Sequence, residues 1–360
     1  MNYLLTLTVL CAMFLGSALG SSVQPAQAAE KQLVRTSAQP CLHGMPLWYA
    51  AKVGMLKDVP YNDKFILFQS GAPQTEALAA DQWDCGAMGA IPTMMASMRY
   101  GYKLIGLSND ESETNDIWVR PNSPLLKTKG ANPEYPNIYG TANDWRGKKI
   151  LATTVSTGHY ALTATLKALG LADKDVQIVH MEQGQAMTAF TAGEGDILQL
   201  WAPLSYVAEA KGWIKVSSGA AAKVPVIGGI GVRKDFAEKH PDLVVAWLDI
   251  YMRVVEDMKK TPQKMVEPLL SFFNDFCGLE LTKEQVEMEF KYRPLFTVQE
   301  QIAALDDPNK AALWMKGVAN FMLDQGRIKR KEYDRYVKSN FNIDSSFMKK
   351  LAEKRAASGK

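Results

Sequence analysis

Apolar positions along this chain switch repeatedly between two periods. Short runs such as "QLVRTSA", "KFILFQS", "WDCGAMGA" and "YKLIGLS" have strand character. Between them, "MPLWYAAKVGML", "PQTEALAAD" and "PTMMASMRYG" carry helical spacing. A polar stretch, "NDESETND", and a segment rich in Pro, Asn and Gly follow, the latter predicting an irregular surface insertion. At Lys148 the alternation restarts, with strands in "KKILATT", "VQIVHM" and "DILQLWA" and helices in "HYALTATLKAL", "QAMTAFTAG" and "LSYVAEAKG". Alternation of this kind predicts parallel sheets covered by helices. "GGIGV" predicts a strand returning from the second block, Pro241 a helix start, and Asn309 to Val337 further helices around the first block.

The two blocks share a phrase. "ALAADQWDCGAMGAIP" and "AFTAGEGDILQLWAP" each run a helix end into an Asp, a strand and an Ala-x-Pro or Ala-Pro turn, with Asp196 for Asp84 and Pro203 for Pro92. This weak repeat predicts two similar α/β lobes rather than one long sheet. The expected division is a signal peptide over 1–28, a first lobe over 29–115, a second lobe over 116–225, a return to the first lobe with C-terminal helices over 226–345, and a tail over 346–360 whose last residues, "EKRAASGK", are disordered. A lobe that is left and re-entered has two crossovers, hinges on them, and takes a ligand between the lobes. In open α/β sheets the ligand lies at the carboxyl ends of the strands. The turns facing such a cleft are Gln39 to His43, Ser70 to Gln74, Gly89 and Ala90 to Ile91, Ser156 to His159, Glu182 to Gln185, and Trp201 to Pro203. Ser156-Thr157-Gly158-His159 opens a helix after a strand. It reads either as ordinary capping, since hydroxyls accept from first-turn N–H groups, or as an anion site at the positive end of the helix dipole. Trp201 at a strand exit offers a rigid face to the cleft.

Composition narrows the function. The formal net charge is +3 over 360 residues, with 22% charged, and no dense basic face with interleaved aromatics is present, so nucleic acid is not an expected partner. The four histidines, His43, His159, His180 and His240, show no metal-ligand spacing, and no C-x-x-C, G-x-S-x-G or phosphate-binding glycine loop occurs. Neither a metal nor another cofactor is therefore expected. Residues 1–29 carry no charged side chain, Tyr3 to Leu19 is apolar, and Ala26-Gln27-Ala28 fits a signal-peptidase site, so cleavage is expected after Ala28. The n-region lacks Lys and Arg, which leaves an uncleaved anchor as the alternative. Of the remaining cysteines Cys41, Cys85 and Cys277, the first two either pair or are buried thiols.

The stretches "FQSGAPQTEALAADQWDCGAMGAIP", "DWRGKKILATTVSTGHYALTATLKALGL", "AFTAGEGDILQLWAPLSYVAEAKG", "VRKDFAEKHPDLVVAWL" and "FMLDQGRI" together resemble the taurine, alkanesulfonate and nitrate family of ABC-transporter substrate-binding proteins. "STGHY" and "WAP" are nearest the taurine branch. The resemblance implies a two-lobe type II periplasmic-binding-protein fold. It also implies a periplasmic, monomeric, non-catalytic receptor that captures a small organic anion or zwitterion and docks on a permease of the inner membrane. The matching positions suggest Ser70, Gly71, Ala72, Ser156, Thr157, Gly158 and His159 as anion contacts and Trp201 as a pocket wall. Gln39, His43, Gln74, Gly89, Ala90, Glu111 and Glu182 complete the expected site, with Met88, Ile91, Met94 and Met95 as an apolar floor. The taurine-type pattern has acids where Gln39 stands and near Gly228; here both are neutral, and Glu111, Glu113 and Glu182 lie in nearby loops. Either an amine is held differently, or the ligand is another organic anion, a carboxylate or a nitrogenous solute. An enzyme of the thiamine-pyrimidine-synthesis type, which shares the fold, is the alternative reading.

Overall fold

The computed structural model describes residues 31–359, so the expected cleavage site at Ala28 lies outside the described residues. Among these described residues, ten strands form two five-stranded sheets. They are β1 (Gln32–Ala38), β2 (Tyr61–Leu67), β3 (Cys85–Met88), β4 (Tyr102–Asp110), β5 (Asn115–Val119), β6 (Lys149–Ala152), β7 (Gln177–His180), β8 (Ile197–Trp201), β9 (Ile214–Ser218) and β10 (Ile227–Arg233). Fifteen helices surround them: α1 (Met45–Lys52), α2 (Gly71–Ala79), α3 (Ala90–Tyr100), α4 (Ala142–Trp145), α5 (Thr157–Ala168), α6 (Gln183–Thr191), α7 (Leu204–Ala210), α8 (Lys234–Lys239), α9 (Pro241–Lys260), α10 (Pro262–Ser271), α11 (Lys283–Tyr292), α12 (Val298–Asp306), α13 (Ala311–Asp324), α14 (Arg330–Lys338) and α15 (Ser346–Ala357).

The sheet orders are β2-β1-β3-β10-β4 and β7-β6-β8-β5-β9. They have the same plan. In each, four parallel strands come from one block and the fourth position is held by an antiparallel strand that arrives across a crossover: β10 between β3 and β4, β5 between β8 and β9. The sheets are therefore mixed rather than purely parallel. The repeated Asp has one job in both lobes. Arg35 N–H donates to Asp84 Oδ2 (2.9 Å) and Asp84 N–H to Arg35 O (2.8 Å); Lys149 N–H donates to Asp196 Oδ2 (2.8 Å) and Asp196 N–H to Lys149 O (2.8 Å). Each Asp thus ties the entry of a β3-type strand to its neighbour. Pro92 and Pro203 are not equivalent: Pro92 lies inside α3, and Pro203 precedes α7.

One face of the first sheet is covered by α1, α9, α10 and α15, whose apolar stripes merge into the largest core, around Trp247, Phe272 and Leu351. The segment expected to trail off as a tail is α15: Phe347, Met348 and Leu351 are buried, and Arg355 pairs with Asp249 and Glu256. Amphipathic spacing in "SFMKKLAEKRAA" supplies that apolar face. Cys41, Cys85 and Cys277 are free thiols, and the first two are buried. Among the described residues no helix is long and apolar enough to cross a membrane.

The crossovers run side by side. Glu111 N–H donates to Val226 O (2.7 Å), Val226 N–H to Ser112 Oγ (2.8 Å), and Ala220 N–H to Ser112 O (2.8 Å). A third segment joins them where Asp110 N–H donates to Pro294 O (3.0 Å).

Candidate functional site

The carboxyl ends of both sheets open on one cleft of about 480 Å³, open solvent at its mouth included. Of the residues expected there, Gln39, His43, Ser70, Gly71, Ala72, Gly89, Glu111, Ser156, Thr157 and Trp201 line it. Cys41, Pro92, Asn115 and Thr153 to Val155 line it as well.

Two helices start at the cleft from opposite lobes. Ser70 precedes α2; its side chain is 4% exposed and its Oγ has no hydrogen-bond partner. Ser156 precedes α5, and its hydroxyl is fully used: it accepts from His159 N–H (3.1 Å) and donates to Thr153 O (2.6 Å). Side-chain capping and an anion-facing helix start therefore coexist. Ser156 serves the cap, while the first N–H groups of α5, at Thr157 and Gly158, have no acceptor within the helix. The same holds for Gly71 and Ala72 of α2.

Five expected residues stand outside the cleft lining. His159 turns away: Val155 N–H donates to its Nδ1 (3.2 Å), and its Nε2 lies 2.7 Å from Asp173 Oδ2. Burial would raise the Asp173 carboxyl, but hydrogen bonds from His159 and Thr163 outweigh it and hold the pKa below the usual value. Gly158 is a packing glycine, since a Cβ there would collide with the buried Gln199 amide. Gln74 is wholly buried; it accepts from Gln39 Nε2 (2.6 Å) and donates to Ser37 Oγ (2.8 Å), so it orients Gln39 from beneath. Ala90 packs with Ile91 and Met94 against α13. Glu182 precedes α6 in the second lobe. The expected apolar floor is absent from the lining for the same reason as Ala90: Ile91, Met94 and Met95 face α13, and Met88 packs with Trp83 and Tyr102.

Polar groups form the floor instead. His43 Nε2 stands 3.8 Å from Glu111 Oε1, and the same oxygen accepts from Arg293 Nη2. Arg293 Nη1 donates to Glu289 Oε2 (3.0 Å). All four side chains are almost wholly buried. Burial, reinforced by Arg293, pushes the His43 pKa down to about 3, so the imidazole is neutral. Burial raises Glu289, against the pull of Arg293. Glu111 thus reaches the cleft with its charge already matched by a guanidinium. Arg293 carried no local sequence signal; it stands alone after α11 and acts across 182 residues. Cys41 donates weakly to Ala202 O (3.9 Å), and burial pushes its pKa up to about 12. A thiol in that state is not a nucleophile.

The lobes touch across the cleft. A Cβ on Gly89 would lie 2.6 Å from Thr157 Oγ1. Behind it, the His159 and Tyr160 rings pack on Phe321 of α13, with centroids 5.4 and 5.2 Å away.

Known proteins resemble this chain in sequence and in fold. A Brachyspira hyodysenteriae protein whose name places it among ABC transporter periplasmic binding proteins is 27% identical over 267 residues, covering 74% of this chain and 77% of its own. The taurine-binding periplasmic protein of Escherichia coli is 27% identical over 294 residues, covering 76% and 82%. Among solved structures, the alkanesulfonate-binding protein SsuA from Xanthomonas axonopodis pv. citri, bound to MOPS, superposes with a TM-score of 0.66 at 19% identity, over 84% of this chain and 96% of that one. The desulfurization enzyme DSZB has the same fold, with a TM-score of 0.60 at 16% identity over 90% and 99%. The model of the NMT1-like family matches residues 27–266 of the 360, and the chain belongs to that family.

Proposed function

We propose that this chain is the extracytoplasmic, monomeric solute receptor of an ABC importer. It captures a small organic anion or zwitterion of the sulfonate class between its lobes and presents it to a membrane permease. The observation that carries the reading is the meeting of two helix starts, α2 at Ser70 and α5 at Ser156, in one cleft. Their first-turn N–H groups and the unpartnered Ser70 hydroxyl can surround a sulfonate with donors from both lobes. The names of the taurine-binding and sulfonate-binding relatives support that ligand class. A non-catalytic role fits the floor, where the Cys41 thiol stays protonated and the His43 imidazole stays neutral. Glu111 is paired with Arg293, so a ligand ammonium gains little from it.

A thermal-shift panel of ethanesulfonate, taurine, a sulfate ester, acetate and ethylamine tests this. A ligand at a hundred times its dissociation constant adds about 2.7 kcal/mol, which for a chain of this size is a rise of about 4 °C. Ethanesulfonate is expected to give the largest rise and taurine a smaller one. A panel in which acetate or ethylamine alone stabilises the protein refutes the sulfonate class. Turnover of a sulfonate by the isolated chain refutes the receptor role.

A further inference from the structure

A second crevice, of about 890 Å³ with open solvent at its mouth included, lies between β5, β9 and α7 of the second lobe and α11. The last helix packs on the other lobe, with Val286 in the core of the first sheet. The crevice and the cleft share a wall: Asn115 lines the cleft and its neighbour Asp116 the crevice, as alternate residues of a strand face opposite ways.

Three side chains more than nine-tenths buried, Asp116 at 2%, Trp118 at 3% and Tyr206 at 4% exposure, line this space. Trp118 Nε1 and the Tyr206 hydroxyl make no hydrogen bond. Asp116 has one cation, Lys215, whose Nζ stands 3.4 Å from Oδ1 and 6.0 Å from the Trp118 ring, and the Ser205 hydroxyl helps to hold its carboxyl. Buried polar groups are nearly always matched, so two unmatched ones, Trp118 Nε1 and the Tyr206 hydroxyl, beside a buried carboxylate in one hollow call for an occupant. Its character follows from the rest of the lining. Glu113, Asp116 and Glu209 face a single lining cation, Lys215. Lys291 lies on the surface beside Tyr292, 4.8 Å from its ring. The Trp118, Trp213, Tyr206 and Tyr292 rings complete the walls. Carboxylates with aromatic faces recognise an ammonium group, and the indole N–H needs an acceptor. Among the described residues no cluster of His, Cys, Asp and Glu is placed to hold a metal ion, which points to an organic cation.

We propose that this crevice is a second binding site, for a small organic molecule bearing a protonated amine beside an oxygen acceptor. The ammonium sits on Asp116 and the ring faces, and the oxygen accepts from Trp118 Nε1–H and Tyr206. The site is independent of the sulfonate cleft, and burial that pushes the Asp116 carboxyl up to about 7 makes mildly alkaline solution the condition for binding.

The test is an NMR titration of the full chain at about pH 8, following the Trp118 indole N–H, assigned with Trp118→Phe. The probe is ethanolamine, and ethylene glycol is the uncharged control. A saturable shift is expected with ethanolamine alone. Its affinity should fall about tenfold or more in Asp116→Asn, and it should be unchanged in Ser70→Ala or with ethanesulfonate bound in the cleft. Tyr206→Phe, which keeps the ring and removes the hydroxyl, gives the same reading if Asp116→Asn does not fold. Three results overturn the proposal: no saturable shift, an equal response to ethylene glycol, or binding that survives Asp116→Asn and Tyr206→Phe. Loss of the shift in Ser70→Ala also overturns it, by placing the amine in the cleft.

Discussion

Gly89 faces Thr157 of the other lobe across the binding cleft, and replacing it with Ala tests whether closure carries affinity. Its backbone, with φ −61° and ψ 168°, suits any residue, so the substitution adds no backbone strain. The new Cβ would stand 2.6 Å from Thr157 Oγ1, whereas an ordinary contact begins at 3.4 Å, so the lobes must part locally by the difference, 0.8 Å. Thr157 is buried at the head of α5 and branched at Cβ, so rotation of its side chain is restricted. Overpacking of this kind costs about 1–3 kcal/mol. The open arrangement does not feel it, so the cost falls on the closed form alone. The apparent affinity for the cleft ligand is then expected to fall about 5- to 150-fold, while the ligand-free melting temperature stays within about 2 °C of the parent. Calorimetric titration with ethanesulfonate measures the first quantity, and small-angle scattering should show an open form that persists with ligand. An affinity within about twofold of the parent would refute closure through this contact.

Arg293→Met leaves Glu111 and Glu289 buried without their cation and should destabilise the chain by about 3–5 kcal/mol in urea unfolding; a loss below about 1 kcal/mol means the cluster is hydrated and unimportant. His43 is neutral when folded, with its pKa lowered from 6.5 to about 3, so its contribution is complete above pH 6.5 and is lost as the pH falls from there. His43→Asn should therefore flatten the stability profile between about pH 4.5 and 6.5 by about 1.4 kcal/mol per pH unit; an unchanged slope sinks the assignment. Asp116 acts oppositely: its pKa is raised from 3.8 to about 7, so stability falls as the pH rises through that interval, and Asp116→Asn should be the more stable chain at about pH 8 in the same assay.

The parallel strand–helix units were legible because their apolar periods are local and their turns are punctuated by Gly and Ser. β5 and β9 were not. β5 follows Asp110, Glu111 and Glu113 and itself begins Asn115-Asp116, so its sequence looks like the polar loop before it, although all five residues are buried. Only its place between β8 and β9 makes it a strand. The cleft-facing loops followed from the rule that ligands meet strand ends, and nine of the expected residues in those loops line the cleft, while Glu111 was named from the acidic loop between the sheets. Thr153 and Thr154 were read as strand, but the chain leaves the sheet after Ala152, and Val155 turns with φ 59°. His159 was misjudged because its partner, Asp173, lies 14 residues on and beyond the end of the helix. Arg293 and Glu289 joined Glu111 only through a contact between distant segments.

The exchange of antiparallel strands between the sheets sets an order of assembly. Every strand of the second sheet lies between residues 115 and 218, so that half can complete itself as soon as this length is available. The first sheet cannot, because β10 must slot between β3 and β4, and α9 to α15 follow it in the chain. The half begun first at the ribosome is thus finished last, and until β10, which ends at Arg233, has been made the growing polypeptide keeps an unfilled gap in its leading sheet.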